Sequence, residues 1–155
     1  MVADIVSEQV AGMRRNPHAL RLIDAGLGLY CVWSGRKLDP QSLDIDHCFP
    51  WSVWPCGDLW NLLPTHRVVN QREKRNRLPA DGLLQAAGNP ILDWWRRAYL
   101  AEDTVLPRRF ADEARASLPG LAGGAGPLPP EEVFAALRVQ RLRLRHDQQV
   151  PEWTR

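Results

Sequence analysis

Apolar residues recur along this chain first at a helical spacing, then in short alternating runs, then at a helical spacing again. Ile5, Val6, Val10 and Met13 share one side of a helix predicted over 4–15, with Asp4 as its N-cap. In "NPHALRLIDAG" Asn16 caps a second helix, Pro17 takes its first position and Gly26 ends it. The period then changes. "GLYCVWSGRKLD" holds two short apolar runs around Ser34-Gly35 and predicts a β-hairpin. "LDIDHCF" predicts a further strand, closed by Pro50, which cannot continue a ladder. Residues 50–60, with Pro50, Pro55, Gly57 and three tryptophans, read as a loop. Helical spacing returns over 64–77, opened by Pro64-Thr65 and stopped before Pro79, and again at 80–87, 90–102 and 107–117. "SLPGLAGGAGPLPP" is rich in Gly and Pro and reads as a linker ahead of a last, basic helix.

Composition changes this picture little. A chain of 155 residues fits one modest domain with appended helices. An apolar share of 45% with 25% charge is that of a folded globular protein. The net charge of +2 identifies no partner, but of the 20 basic residues only Lys37 and Lys74 are lysines. Arginine forks suit phosphate, and a GC-rich genome also raises arginine content. Three cysteines, Cys31, Cys48 and Cys56, leave an odd count and no disulfide framework, which fits a reducing cytosol. The N-terminal residues lack the basic and apolar regions of a signal peptide, and no apolar run reaches the roughly 18 residues of a membrane span. The expectation is a cytoplasmic protein.

The chemistry concentrates in "DIDHCFPWSVWPCGDLWNLLPTHRVVNQREK", residues 44–74. Cleaving a phosphodiester needs a base for the attacking water and positive charge for the departing oxygen. A neutral imidazole suits the first task, and a hard cation held by oxygen ligands suits the second. Adjacent strand residues point to opposite faces, so Asp46 and His47 reach one phosphate only where the strand ends and the chain turns. Pro50 and the loop after it supply that turn. Asn70 and Lys74, four apart, share a helix face that would form the opposite wall.

Asp46-His47-x-x-Pro50-x-Ser52, then Asn61-Leu62-x-Pro64, then Asn70 and Lys74 resembles the HNH family of endonucleases, the ββα-metal or His-Me finger fold. The resemblance covers about residues 29–79. It implies an α+β fold: a ββα-metal core at 27–79, N-terminal helices (1–26) packed on it, a helical extension (80–117), a linker (118–130) and a basic C-terminal helix and tail (131–155). It further implies His47 as general base, Asp46 and Asn70 as metal ligands, and Asn61 as the residue whose hydrogen bonds brace the loop and orient His47. An oxygen-only ligand set favours Mg2+, or Mn2+, over zinc. Where many members carry two Cys-x-x-Cys pairs, this chain has Cys31 and Ser34, then His66 and Val69, so no structural zinc is expected. The apolar cluster around Tyr30, Trp33, Trp51, Trp54 and Trp60 is expected to stabilise the core instead. The implied activity is hydrolysis of DNA, double-stranded above all, in phage defence, restriction or mobile-element processing. The alternative is a non-catalytic nucleic-acid-binding or partner-binding module on a degenerate HNH fold.

Around this motif, Arg72, Lys74 and Arg75 are candidates for phosphate contacts. His66 either touches phosphate from the helix start or caps it. Trp94-Trp95 is either a base-stacking platform or core, and the segment's Ile91, Leu92 and Leu100 favour core. In the last helix Val133, Leu137 and Leu144 form one stripe and Arg138, Arg141 and Arg145 a neighbouring one. A docking helix leads there, ahead of a partner-binding or self-associating arm and a DNA clamp.

Overall fold

A computed structural model describes residues 16–101, 105–121 and 123–155; the helix expected over 4–15 lies outside them. The first helix described, α1 (Pro17–Asp24), starts as its sequence dictates: Asn16 Oδ1 accepts from the backbone N–H groups of His18 and Ala19 at 3.0 and 3.1 Å. Two antiparallel strands follow, β1 (Leu43–His47) and β2 (Leu62–His66), with Ile45 opposite Pro64 and His47 opposite Leu62. The chain then winds into a π-helical turn, Val69–Lys74, and a two-residue strand, β3 (Leu78–Pro79). Behind this ββα unit lie α2 (Asp81–Ala86), α3 (Gly88–Trp95, continued as a π-helical stretch Arg96–Leu100), α4 (Val105–Ser117) and α5 (Pro130–Gln148). The tail returns as β4 (Glu152–Trp153), parallel to β3. The fold is α+β, as expected. Among the described residues no helix is long and apolar enough to cross a membrane.

Two expectations about the core need correction. The helix predicted from Pro64 begins only after His66, because residues 62–66 extend along β1. Pro64 fits this strand because its carbonyl turns away from β1 and accepts from Val32 N–H at 3.1 Å. In an antiparallel ladder a residue's N–H and C=O point the same way, so the donor that proline lacks is one β1 never needed. Conversely, the predicted hairpin around Ser34-Gly35 pairs only through one bridge, Tyr30 to Lys37, with hydrogen bonds from Cys31 N–H to Arg36 O and from Leu38 N–H to Leu29 O. It is a tight loop laid on β2.

The core joins the ββα unit to the helices. Leu43, Leu63, Val69 and Trp60 meet Leu84, Ile91, Trp94, Trp95 and Phe110 with almost no exposed surface. Trp94 and Trp95 are therefore packing residues, and Trp94 Nε1 donates to Leu62 O at 2.9 Å, tying α3 to β2. On α5, Val133, Leu137 and Leu144 are buried. The arginine stripe pairs inside the molecule: Arg138 with Asp81 at 3.0 Å, Arg141 and Arg145 with Glu152 at 3.3 and 2.7 Å. The docking reading of this helix holds, and its apolar stripe is covered by its own chain. The expected tryptophan cluster is smaller than predicted. Trp33 and Trp60 are buried and Trp54 half-buried, but Tyr30 is 50% and Trp51 47% exposed. Cys31, Cys48 and Cys56 are all free thiols and all buried.

Candidate active site

The end of β1 and the π-helical turn face each other across a cavity of about 290 Å³, lined by Asp44, Asp46, His47, Trp51, Asn70 and Arg75 among others. Asp44 and Asp46 sit two apart on β1, the spacing that puts both carboxylates on one face. Asp44 is nearly buried and gathers the turn. Its Oδ2 accepts from Asn70 Nδ2 and Gln71 Nε2, each at 3.2 Å, and its Oδ1 lies 3.5 Å from Arg67 Nε. With its amide nitrogen on Asp44, Asn70 keeps Oδ1 as the atom available to a cation. The π winding is visible in the bond from Arg75 N–H to Asn70 O, five residues back, a geometry often found at functional sites.

Lys74 sits elsewhere than the sequence implied. It was expected to reach phosphate, yet it has no exposed surface. Its ammonium lies 2.8 Å from Asp46 Oδ2 and donates to His47 O at 2.9 Å. It thus holds the Asp-His corner of β1 from behind. Burial pushes the Asp46 carboxyl above its ordinary pKa, and the Lys74 charge partly offsets that. The His47 imidazole is half-buried and its pKa falls to about 4, first through desolvation and then through the Lys74 charge. It is therefore neutral at physiological pH and can accept a proton.

Asn61 is fully buried in the loop between the strands. Its Oδ1 accepts from Phe49 N–H at 2.9 Å, and its Nδ2 donates to Cys56 O at 2.8 Å and Phe49 O at 3.4 Å. Its own carbonyl accepts from Cys48 N–H at 2.8 Å. These bonds fix the backbone immediately after His47. His66 Nδ1 accepts from Val68 N–H at 3.2 Å, the capping arrangement. Arg72 and Arg75 are exposed, and Arg75 holds a left-handed backbone (φ 53°, ψ −134°) at the cavity rim. Of the residues singled out in the sequence, Asp46, His47, Asn70 and Arg75 share the cavity lining. Asn61, His66, Arg72 and Lys74 lie outside it, and Asn61, His66 and Lys74 act on the backbone that shapes it. Sequence reasoning missed Asp44, Gln71 and Trp51. The alternation Asp44-x-Asp46 was the signal available for Asp44.

Among the described residues no three His, Cys, Asp or Glu side chains gather as a metal-binding group. The donors that do face the cavity, one Asp46 carboxylate and the Asn70 amide oxygen with Asp44 behind it, suit a hard cation that completes its shell with water and phosphate oxygens. Asp46 Oδ2 is buried against the Lys74 ammonium at 2.8 Å, so a cation would take the other oxygen of that carboxylate, and the oxygen-only chemistry of the set fits such an ion.

A two-stranded sheet ending in Asp-His, closed by a loop anchored on a buried Asn and faced by a helical turn carrying a second Asn, is the arrangement that the ββα-metal resemblance implies. Residues 31–80 match the family model of the HNH endonucleases, so this segment is similar to an HNH endonuclease domain. Comparison with curated proteins and with solved structures returned no significant match. Members of that family are endonucleases, enzymes that cut nucleic acid.

Proposed function

We propose that this protein is a metal-dependent endonuclease that hydrolyses DNA phosphodiester bonds, double-stranded DNA first among them. His47 takes the proton of the attacking water. Its neutral state at physiological pH leaves a lone pair free for this, and a phosphate brought beside it raises its basicity. Asp46 and Asn70 would hold one divalent cation, Mg2+ or Mn2+. Bound there, such an ion supplies positive charge for the leaving oxygen and for the phosphate in the transition state. Lys74 holds the His47 carbonyl and the Asp46 carboxylate, and Asn61 holds the loop that follows, so the imidazole keeps its place as the substrate arrives. Arg72 and Arg75 would neutralise flanking phosphates, which confers affinity without sequence reading. The left-handed backbone of Arg75 supports this role, since non-glycine residues in such strained geometry cluster at functional sites.

One observation carries the reading: His47, Asp46 and Asn70 line a single open cavity. Supercoiled plasmid with a panel of divalent ions tests it. The wild-type chain should nick or linearise plasmid in Mg2+ or Mn2+, and His47→Ala should lose roughly 100-fold or more in rate, the usual scale of general-base removal, while keeping its fold. Unchanged cleavage by His47→Ala would refute the role of His47. Inactivity of the wild-type chain in every ion tested would favour a degenerate, binding-only domain. A cytoplasmic location, where Mg2+ and DNA are both at hand, belongs to the same proposal.

A further inference from the structure

All seven tryptophans lie among the described residues, and six of them pack. Trp33, Trp60, Trp94, Trp95 and Trp153 are buried, and Trp54 stacks on Phe49 with ring centroids 5.9 Å apart and planes 18° from parallel. Trp51 does none of this. It is 47% exposed, lines the cavity, and its ring centroid stands 5.6 Å from that of His47. About half of this indole is covered, in part by the His47 ring, and the rest is open to the cleft mouth and solvent. Asn61 fixes the backbone of Phe49, two residues before it, and Pro50 is buried, so the loop that carries Trp51 is anchored.

The chemistry of the site decides what this ring can meet. A phosphodiester in reach of His47 brings its neighbouring nucleoside to within one sugar of the same spot. Aromatic side chains stack on nucleobases of any identity, which adds affinity without sequence preference. In a paired duplex, however, base planes are only about 3.4 Å apart, which leaves no room for an indole. A ring beside the scissile phosphate therefore meets a base face only where that base has left the stack.

We propose that Trp51 is a base-stacking platform and that the preferred substrate is DNA with an unstacked base next to the scissile phosphate, as at a bulge, a mismatch or a single-stranded stretch. This rests on the nuclease reading and narrows its substrate class. It also gives the cleft two kinds of contact: Arg75 in its lining for phosphate, Trp51 in its lining for the base.

Binding should be measured on the full chain in a His47→Ala background, which separates affinity from turnover. Three labelled DNAs serve as probes: a fully paired duplex, the same duplex with a central bulge, and a single strand. Trp51→Ala should weaken binding to the bulged and single-stranded DNAs on the order of 10-fold and leave the paired duplex nearly unchanged. Trp51→Phe should keep most of the affinity. In the active protein, Trp51→Ala should raise KM on the bulged substrate more than it lowers kcat. The inference is overturned if Trp51→Ala lowers kcat with affinities unchanged, since Trp51 would then act only on His47. It is equally overturned if all three DNAs weaken alike, or if the His47→Ala chain binds none of them. A wild-type chain that cuts none of the DNAs yet shows the Trp51-dependent preference would sink the nuclease reading and leave the stacking site standing.

Discussion

Replacing Lys74 with Met isolates the electrostatic support of the cleft. Met keeps most of the volume of the lysine stem, so the packing loss is small. What disappears is an ammonium with no exposed surface, 2.8 Å from Asp46 Oδ2 and 2.9 Å from His47 O. The substitution leaves a buried carboxylate without its counter-charge and a carbonyl without its donor. Breaking one side of a buried ion pair costs about 3–5 kcal/mol. Asp46 can escape part of that cost by taking a proton. Its pKa is already raised by burial, and losing the Lys74 charge raises it further. The folded state then binds this proton more readily than the unfolded chain does. Stability therefore falls as pH rises from the ordinary value of 3.8 through the raised one. The deficit of Lys74→Met should accordingly be largest near pH 7.5 and shrink toward pH 4. Urea denaturation at several pH values reads this directly, and thermal melting at neutral pH should drop by about 6–20 °C. Adding Asp46→Asn, which removes the stranded charge, should recover part of the loss. A penalty below about 1 kcal/mol that does not vary with pH would refute the placement of Lys74 behind the Asp-His corner.

Three more outcomes follow from the same geometry. Asn61→Ala strands the Phe49 N–H and the Cys56 carbonyl in the interior, which should lower stability by about 2–4 kcal/mol and speed hydrogen exchange at Phe49; slow exchange in the variant would contradict the brace. Removing residues 149–155 takes away β4 and the buried Trp153, whose ring meets Trp33 edge-on at 5.6 Å. Loss of a buried tryptophan costs about 3–5 kcal/mol, so denaturation should shift accordingly, and a tail that can be removed without effect would rule out its clamping role. Arg75→Gly relieves a left-handed backbone and should gain about 1 kcal/mol of stability while weakening DNA binding and flattening its salt dependence; unchanged binding would remove Arg75 from the phosphate path.

Much of the site was legible because its chemistry depends on spacing. Asp46 beside His47 before Pro50, and Asn61 nine residues ahead of Asn70, carry their meaning in the chain itself. Asn16-Pro17 likewise announced α1 through cap chemistry that acts within one turn. What stayed hidden depends on partners far along the chain. Pro64-Thr65 has the signature of a helix start, and only the pairing with β1, which needs no donor from Pro64, makes it a strand. Lys74 reads as a phosphate contact because it stands in a basic segment beside the Asp-His pair, and its burial follows from a carboxylate 28 positions earlier. β3 and β4 are two residues each, too short for any periodicity to declare them. Trp51 looked like one more core aromatic, and nothing local distinguishes a ring that packs from one that waits at a cleft.

The pairing of Leu78 with Glu152 gives this molecule an order of assembly. The segment just past the π-helical turn has its strand partner only in residues that leave the ribosome long after it, and Arg155 then reaches back to Glu73 and to the carbonyl of Trp33. A nascent chain would carry Asp46, His47 and Asn70 with this latch still open until residues 152–155 follow. The cleft would then gain this support only once residues 152–155 have emerged, and a chain cut before them would hold its Asp-His corner in a looser frame.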